Sequence, residues 1–294
     1  MALIVALAIF LRKYKVIIIG DIWRVVVTIG DYDLERRFGG LKRLYGDAAL
    51  NIMSSKSAMV VGIGGVGSWA AEALARSGIG RLVLVDLDVI AESNINRQIH
   101  ALTSTLGQSK VEAMAERLYQ INPQLHLELI DDFIEPDNAQ NIIEAAKVDV
   151  VLDCADQVSA KIAMTLVCQK LDIHLIMCGG AGGKSNPLLL NATDLSRARN
   201  DALLAKIRQQ LRKHHGFAKG SDAQGRALKR VPNMGVSCLW IDEPALMPWT
   251  EPPAEAQGQQ GPQGLACAGY GSCVTVTATM GLAAANQVLK YFYS

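Results

Sequence analysis

Short apolar runs and amphipathic stretches alternate along most of this chain. The apolar runs predict strands buried in a sheet, at residues 58–63, 81–86, 126–130, 148–153, 174–177 and 187–191. The stretches between them carry apolar residues at helical spacing and predict helices at 68–77, 110–121, 137–146 and 160–171. Strands that alternate with helices are typical of a doubly wound, Rossmann-like α/β fold, whose mostly parallel sheet binds ligands at the carboxyl ends of its strands.

The pattern changes in the last third of the chain. It predicts a basic helix, a mobile loop rich in Pro, Gly and Gln, a β-like run and a closing helix, at 199–215, 240–264, 273–279 and 282–292. Leu203, Ile207 and Leu211 lie along one face of the basic helix. We therefore expect a basic helical and loop insertion after the sheet, followed by a carboxyl-terminal strand and helix.

The amino-terminal residues are apolar but do not have the order of a secretory signal. Arg12 and Lys13 follow the run MALIVALAIFL instead of preceding it, and the run is too short to span a bilayer. The simplest interpretation is a non-functional extension, and an interfacial membrane contact is the alternative. We expect three segments, namely this extension, a core that holds the alternating strands and helices, and a carboxyl-terminal part that completes the same domain, at 1–29, 30–190 and 191–294.

Composition indicates a soluble, cytoplasmic protein. Half of the 294 residues are hydrophobic and 19% are charged. The six cysteines contain no C-x-x-C pair, which argues against a structural zinc site and predicts reduced thiols; they are Cys154, Cys168, Cys178, Cys238, Cys267 and Cys273.

A glycine-rich turn follows the first strand of the core. The sequence MVVGIGGVGS carries Gly62, Gly64, Gly65 and Gly67 between an apolar run and a predicted helix. Exposed backbone N–H groups and the helix dipole attract anions at such a turn, so the motif predicts a nucleotide phosphate site. An ordinary strand-to-helix turn is the alternative, because the motif alone has limited specificity.

Charged residues follow the next strands at positions that favour a triphosphate. Asp86 ends a strand 24 residues after Gly62, where an acid can bind ribose hydroxyls. The loop after it carries further polar side chains, namely Asp88, Asn94, Arg97 and Lys110. A dinucleotide site has no general need for this cluster, whereas a site that exposes the α-phosphate of ATP to attack must neutralise phosphate charge.

Two carboxylates follow the fourth core strand. The motif DCADQ carries Asp153 and Asp156, and we expect both to face the same crevice as the glycine turn. Mg²⁺ favours one or two carboxylates together with phosphate oxygens and water, so a carboxylate here is a candidate Mg²⁺ ligand.

In combination, GIGGVGS, LVDLDVIAESNINRQ, GQSK and DCADQ resemble the ubiquitin-activating-type family of ATP-dependent adenylylating enzymes, which includes molybdopterin and thiamine sulfur-carrier activators. Within it, RFGGLKRLYG, GSWAAEALARSGIG, NRQIHAL, QINP, DDFIEPDN and GGAGG are similar to the tRNA-modifying branch that dehydrates threonylcarbamoyladenosine. The resemblance runs from about residue 37 to residue 190, and the absence of C-x-x-C fits this branch.

The resemblance implies a role for each matching residue. Gly62, Gly64, Gly65 and Gly67 would cradle ATP, Asp86 would hold the ribose, and Asn94, Arg97 and Lys110 would contact the phosphates. Asp156 would bind Mg²⁺. Arg43 matches an arginine that family homodimers supply to the neighbouring subunit's site, although a solvated helix would explain it as well. Cys238 lies in GVSC, where family members often carry a reactive cysteine; a buried thiol is the alternative.

The reaction implied is a ligase-type activation of a carboxylate. The threonyl carboxylate attacks the α-phosphate of ATP, giving an acyl-adenylate and pyrophosphate; the carbamoyl group then closes a ring as AMP leaves. Residues 197–230 contain ten Lys or Arg and two Asp, which favours a tRNA-contacting surface over a merely solvated helix. Cysteine desulfurase or sulfur-acceptor proteins are further candidate partners.

Three alternatives remain open from the sequence. A sulfur-carrier adenylyltransferase would activate the carboxyl terminus of a small protein. An NAD-dependent oxidoreductase would bind its cofactor without needing Arg97 or Lys110. A non-catalytic scaffold would bind ATP without releasing AMP.

Overall fold

The computed structural model describes residues 33–222, 224–226, 228–246 and 270–294, and the backbone of 15–19 and 22–26. Structural statements below refer to these residues. The strands are β1 (Lys15–Ile19), β2 (Ile22–Val26), β3 (Ser57–Val61), β4 (Arg81–Val85), β5 (His126–Ile130), β6 (Val150–Asp153), β7 (His174–Cys178), β8 (Leu190–Asp194) and β9 (Ser237–Ile241). The helices are α1 (Leu34–Tyr45), α2 (Ala49–Ser55), α3 (Gly67–Arg76), α4 (Lys110–Ile121), α5 (Ala139–Ala146), α6 (Val158–Leu171), α7 (Ala202–His214) and α8 (Val274–Tyr293).

Seven strands form one sheet in the order β5-β4-β3-β6-β7-β9-β8. All neighbours pair in parallel except β8 and β9, which are antiparallel at one edge. Helices cover both faces, and alternate residues of each strand face opposite sides. In β3, Ala58 and Val60 pack in the core with α3, α4 and α8, whereas Met59 and Val61 pack with α5, α6 and α7. Burial on both faces explains the continuous apolar runs, and the predicted doubly wound α/β fold is confirmed.

The predicted strand at 273–279 is wrong, because Val274 begins the 20-residue helix α8. Its Val and Thr residues have β propensity, but Val276, Met280 and Ala284 pack into the core at helical spacing. Gly281 lets the helix approach closely, since a Cβ there would overlap the carbonyl oxygen of Val66. Tertiary packing therefore overrides local propensity.

The carboxyl-terminal side of the sheet also differs from expectation. The strand predicted at 187–191 begins at Leu190, after a 3₁₀ turn at Pro187–Leu189. Strand β9 had no prediction, and it includes two residues of the predicted loop, Trp240 and Ile241. Most of that loop lies outside the described residues.

The amino-terminal extension is described only in part. Its strands β1 and β2 pair in antiparallel fashion. The rest lies outside the described residues, so the predicted extension and its membrane contact stay predictions, as does the division into segments. Within the described part of the chain, no helix combines the length and the apolar character needed to cross a bilayer.

Candidate active site

The glycine turn joins the end of β3 to the start of α3. Gly62 has φ +86° and donates its backbone N–H to the carbonyl oxygen of Val85 at 2.9 Å. A Cβ at Gly62 would lie 2.9 Å from the carbonyl oxygen of Cys154. A Cβ at Gly67, the first residue of α3, would overlap the carbonyl oxygen of Gly62. Only glycine fits these two positions, and the turn places backbone N–H groups at a helix amino terminus, where anions are stabilised.

A crevice of about 300 Å³ lies over this turn, at the carboxyl ends of β3, β4 and β6. Eight of the predicted residues line it, namely Gly62, Gly64, Gly65, Asp86, Asn94, Arg97, Lys110 and Asp156. Gly67 is absent from the lining because its role is in the backbone packing of the turn. Residues separated by up to 94 positions along the chain thus meet in one site.

Asp86 follows β4 directly and is 6% exposed. Its carboxylate accepts backbone hydrogen bonds from Ile63 at 2.6 Å and from Asp88 at 2.9 Å. Burial raises the pKa of Asp86 above its usual range, against the opposing effects of Lys110 and of these two N–H donors. A carboxylate has about four lone-pair sites, so acceptor capacity remains for ribose hydroxyl groups.

Lys110 is the first residue of α4, and its side chain is 7% exposed. Its Nζ lies 2.6 Å from Oδ2 of Asp88 and 3.9 Å from Oδ1 of Asp86. Asp88 is 54% exposed and can turn into solvent. The ammonium group is therefore held at the crevice by a partner that a phosphate oxygen can replace.

Arg97 and Asn94 lie on the irregular segment between β4 and α4. The Arg97 guanidinium donates through Nη1 to the Ser93 carbonyl oxygen at 2.7 Å and to Asn96 Oδ1 at 3.0 Å. The indole of Trp69 donates to the Arg97 carbonyl oxygen at 2.9 Å. This bond fastens the arginine's backbone to α3, so both ends of Arg97 are positioned before any ligand enters.

The two acids after β6 have different surroundings. Asp156 is exposed and lines the crevice, whereas Asp153 is fully buried and absent from its lining. Asp153 binds Lys161 instead, at 2.9 Å between Oδ1 and Nζ. The expectation that both acids face the crevice is therefore wrong for Asp153, because the opposite charge of Lys161 holds it in the interior.

Two predicted residues lie elsewhere. Arg43 is exposed on α1 and does not line the crevice. Cys238 lies within β9 and is 1% exposed; burial raises the pKa of its thiol to about 12. Burial and a raised pKa both disfavour the exposed thiolate that reactivity requires. This geometry favours the alternative of a buried thiol, and the reactive role of Cys238 stays a prediction.

The crevice residues without a predicted role include Gln98, Asp132 and Thr277. Gln98 is 5% exposed, and within the described part of the chain its Oε1 atom has no hydrogen-bond partner. Asp132 follows β5, and its position after a strand is a signal that could have found it. Thr277 comes from the first turn of α8, and only the fold brings it to the glycine turn.

The site is that of an ATP-dependent adenylylating enzyme, and comparison with known proteins agrees with it. The chain matches the ThiF family model over residues 37–293 and belongs to that family.

Within the family, the chain belongs with the tRNA threonylcarbamoyladenosine dehydratases. It is 39% identical to the Escherichia coli K12 dehydratase over 93% of this chain and 96% of that protein. It is 37% identical to the Haemophilus influenzae dehydratase over 90% of this chain and 95% of that protein. The crystal structure of the E. coli enzyme in complex with ATP matches with a TM-score of 0.75 and 38% identity, over 90% of this chain and 97% of that one. The AMP complex matches with a TM-score of 0.76 over the same shares.

Proposed function

We propose that the protein dehydrates N6-threonylcarbamoyladenosine in tRNA, at the expense of ATP and through an acyl-adenylate. The observation that carries the proposal is the crevice itself, in which Asp86, Arg97 and Lys110 surround an anion-binding glycine turn. The near full-length similarity to dehydratases selects this reaction among those of the family.

The chemistry begins with attack of the threonyl carboxylate on the α-phosphorus of ATP. A new oxygen–phosphorus bond forms, and the bond to the bridging oxygen breaks, so pyrophosphate leaves. The carbamoyl group then attacks the activated carbonyl carbon, loses a proton, and expels AMP, which closes the ring. The glycine turn and Asp86 hold the nucleotide, while Arg97 and Lys110 stabilise the charge that develops on the phosphates.

Magnesium fits the acids that line the crevice. Asp156 and Asp132 offer carboxylates there, whereas Asp153 is occupied by Lys161. Among the described residues, no group of three or more His, Cys, Asp or Glu could enclose a metal. One or two carboxylates with phosphate oxygens and water are the coordination that Mg²⁺ prefers, so Asp156 is the proposed ligand. When bound, the ion would neutralise phosphate charge.

A homodimer would explain the position of Arg43. The residue is exposed outside its own crevice, as an arginine that acts in a neighbouring subunit must be. An exposed apolar surface on the segment after β4 would form part of the contact; it comprises Leu87, Val89, Ile95, Leu102 and Leu106. Replacing Arg43 should lower activity without weakening the subunit's own fold, and sedimentation at micromolar concentration would test the dimer.

The basic segment supports tRNA as the substrate. Its exposed members are Arg197, Arg199, Lys213, Lys219, Arg226, Lys229 and Arg230. Arg208 and Arg212 are instead half-buried and donate to backbone carbonyls, so they stabilise the fold. Changing Lys213, Lys229 and Arg230 to Gln should reduce the salt dependence of tRNA binding by a slope of about 2 to 3, since each phosphate contact contributes about 0.9. An unchanged slope would exclude this surface.

The decisive experiment supplies purified protein with ATP, Mg²⁺ and tRNA that carries threonylcarbamoyladenosine. Mass spectrometry of the nucleosides should show loss of one water, together with equal amounts of AMP and pyrophosphate. Pyrophosphate exchange that depends on a small protein ending in Gly-Gly would instead indicate a sulfur-carrier adenylyltransferase. Binding of ATP without AMP release would indicate a scaffold. A cytoplasmic location and desulfurase partners accompany the proposal as expectations.

A further inference from the structure

A second cavity lies next to the crevice and shares no lining residue with it. Its volume is about 590 Å³, which is within the usual range of ligand sites. The segment between β4 and α4 contributes to both sites, because Arg97 lines the crevice and His100 lines the cavity. Helix α4 does the same with Lys110 and Arg117. The cavity is therefore a separate site, and the same segment and the same helix form part of its wall and of the crevice wall.

Three arginines line the cavity, namely Arg37, Arg76 and Arg117. The carboxylate of Glu72, which is 4% exposed, accepts hydrogen bonds from Nε of Arg76 and from Nε and Nη2 of Arg117. Nη2 of Arg76 lies 2.7 Å from the same carboxylate. These bonds fix two guanidinium groups and leave the Nη1 groups to other partners. The acids of this region are Glu72, which pairs with Arg76 and Arg117, and Glu116, which lines the cavity.

His100 forms part of the cavity wall and has unsatisfied polar atoms. The residue is 2% exposed, and neither ring nitrogen has a hydrogen-bond partner among the residues that the structure describes. A buried polar group without a partner costs about 1–3 kcal/mol, so such groups call for a ligand or ordered water. Burial, together with the positive charges of Lys110 and Arg117, lowers the pKa of His100 from 6.5 to about 4.

We propose that this cavity binds a phosphate group, held by Arg76 and Arg117 beside His100. The fixed arginines provide donors in the planar arrangement that suits phosphate oxygens. Phe38 and Leu102 line the same cavity and provide an apolar surface for a group attached to that phosphate. A backbone phosphate of RNA and free inorganic phosphate share this chemistry; the RNA source rests on the proposed function.

Binding should change the protonation of His100. The cations around it come from α1, α3 and α4, through Arg37, Arg76, Arg117 and Lys110. The acids are Glu72 on α3, which pairs with Arg76 and Arg117, and Glu116 on α4. An anion bound among these cations offsets their electrostatic effect on His100. Its oxygen also accepts a hydrogen bond from the protonated imidazole ring. An opposite charge within about 4–6 Å shifts a pKa by about 1–3 units, so the pKa of His100 should rise on binding.

The test follows the ring signals of His100 by nuclear magnetic resonance, assigned with His100→Gln. The crevice is first filled with a non-hydrolysable ATP analogue, so that added phosphate reports on the cavity. Inorganic phosphate and an anticodon stem-loop RNA are then titrated separately. We expect the pKa of His100 to rise by at least about one unit. Arg117→Gln should weaken this binding about tenfold, because a charge-assisted pair is lost.

Arg81→Gln is the matched control, since Arg81 pairs with Glu128 at the start of β4 and lies outside the cavity lining. A response to RNA alone assigns the site to the RNA backbone, and a response to inorganic phosphate alone assigns it to a free anion. No response to either, or equal responses in Arg117→Gln and Arg81→Gln, overturns the proposal. Turnover is not needed for any of these signals, so failure of the dehydration assay is a separate result.

Discussion

Two lysine–aspartate pairs lie at the carboxyl edge of the same sheet, and their surroundings differ. Lys110 contacts Asp86 and Asp88 beside the crevice, where Asp88 is half exposed. Lys161 and Asp153 are both 0% exposed, and Lys161 also donates to the Cys178 carbonyl oxygen at 2.7 Å. The second pair thereby joins the ends of β6 and β7.

The difference separates a ligand-binding pair from a structural pair. An ammonium group whose partner can leave is able to bind phosphate, whereas one enclosed by a carboxylate and backbone carbonyls is not. Burial lowers the pKa of Lys161, but the charge of Asp153 outweighs this and leaves the pKa raised. The interior therefore keeps Lys161 charged and committed to Asp153.

The largest effect is expected for Lys161→Met. Removing one partner of a buried ion pair leaves the other uncompensated, which costs about 3–5 kcal/mol of unfolding free energy. Urea unfolding measures it. The double variant Lys161→Met, Asp153→Leu should recover most of the loss, and a single variant as stable as the parent would show that the pair is not structural.

Lys110→Met should affect catalysis more than stability. Loss of one preorganised charge at the phosphates should lower kcat/KM roughly 10²–10³-fold. The thermal midpoint of the Lys110→Met variant should stay close to that of the parent. The reason is that Asp88, once it has lost Lys110, can move into water. Lys170→Met, an exposed change on α6, is the control. Activity within a few-fold of the control would remove Lys110 from the phosphate site.

His100 offers a third case, a buried group kept neutral. Its pKa is lowered from 6.5 to about 4, so the unfolded chain binds more protons than the folded chain between these values. Stability is then present above pH 6.5 and is lost as the pH falls toward 4, by about 3 kcal/mol in total. Urea unfolding at pH 7 and pH 5 measures the slope. His100→Gln should remove this part of the pH dependence, and an equal slope in both proteins would contradict it.

The smallest effect is expected for Cys238→Ala. A thiol inside β9 takes no part in the proposed steps, so kcat should stay within about twofold, with at most about 1 kcal/mol lost from packing. Single-turnover kinetics at matched folded fraction would measure this. A loss of 10²-fold or more would restore the reactive role.

Local patterns were sufficient for much of this molecule. The apolar runs of β3 to β7 predict strands because a parallel sheet buries both faces of each strand, so the pattern needs no knowledge of neighbours. The turn from Gly62 to Gly67 is predictable for a similar reason, since close backbone approach excludes any side chain. Asp86, Arg97 and Lys110 follow from the rule that ligands bind at strand ends.

Other features depend on contacts that no local pattern contains. The helical start of α8 is decided by packing on α3, against the β propensity of its Val and Thr residues. The choice of Asp156 over Asp153 for the crevice is decided by Lys161, eight residues away along the chain and adjacent in space. The second cavity exists because α1, α3 and α4 bring three arginines to one histidine. The sequence by itself therefore determined the alternation of strands and helices from β3 to β7 and the nucleotide turn. Burial and long-range pairing assigned each charged residue to the site or to the core, and only the tertiary structure decided them.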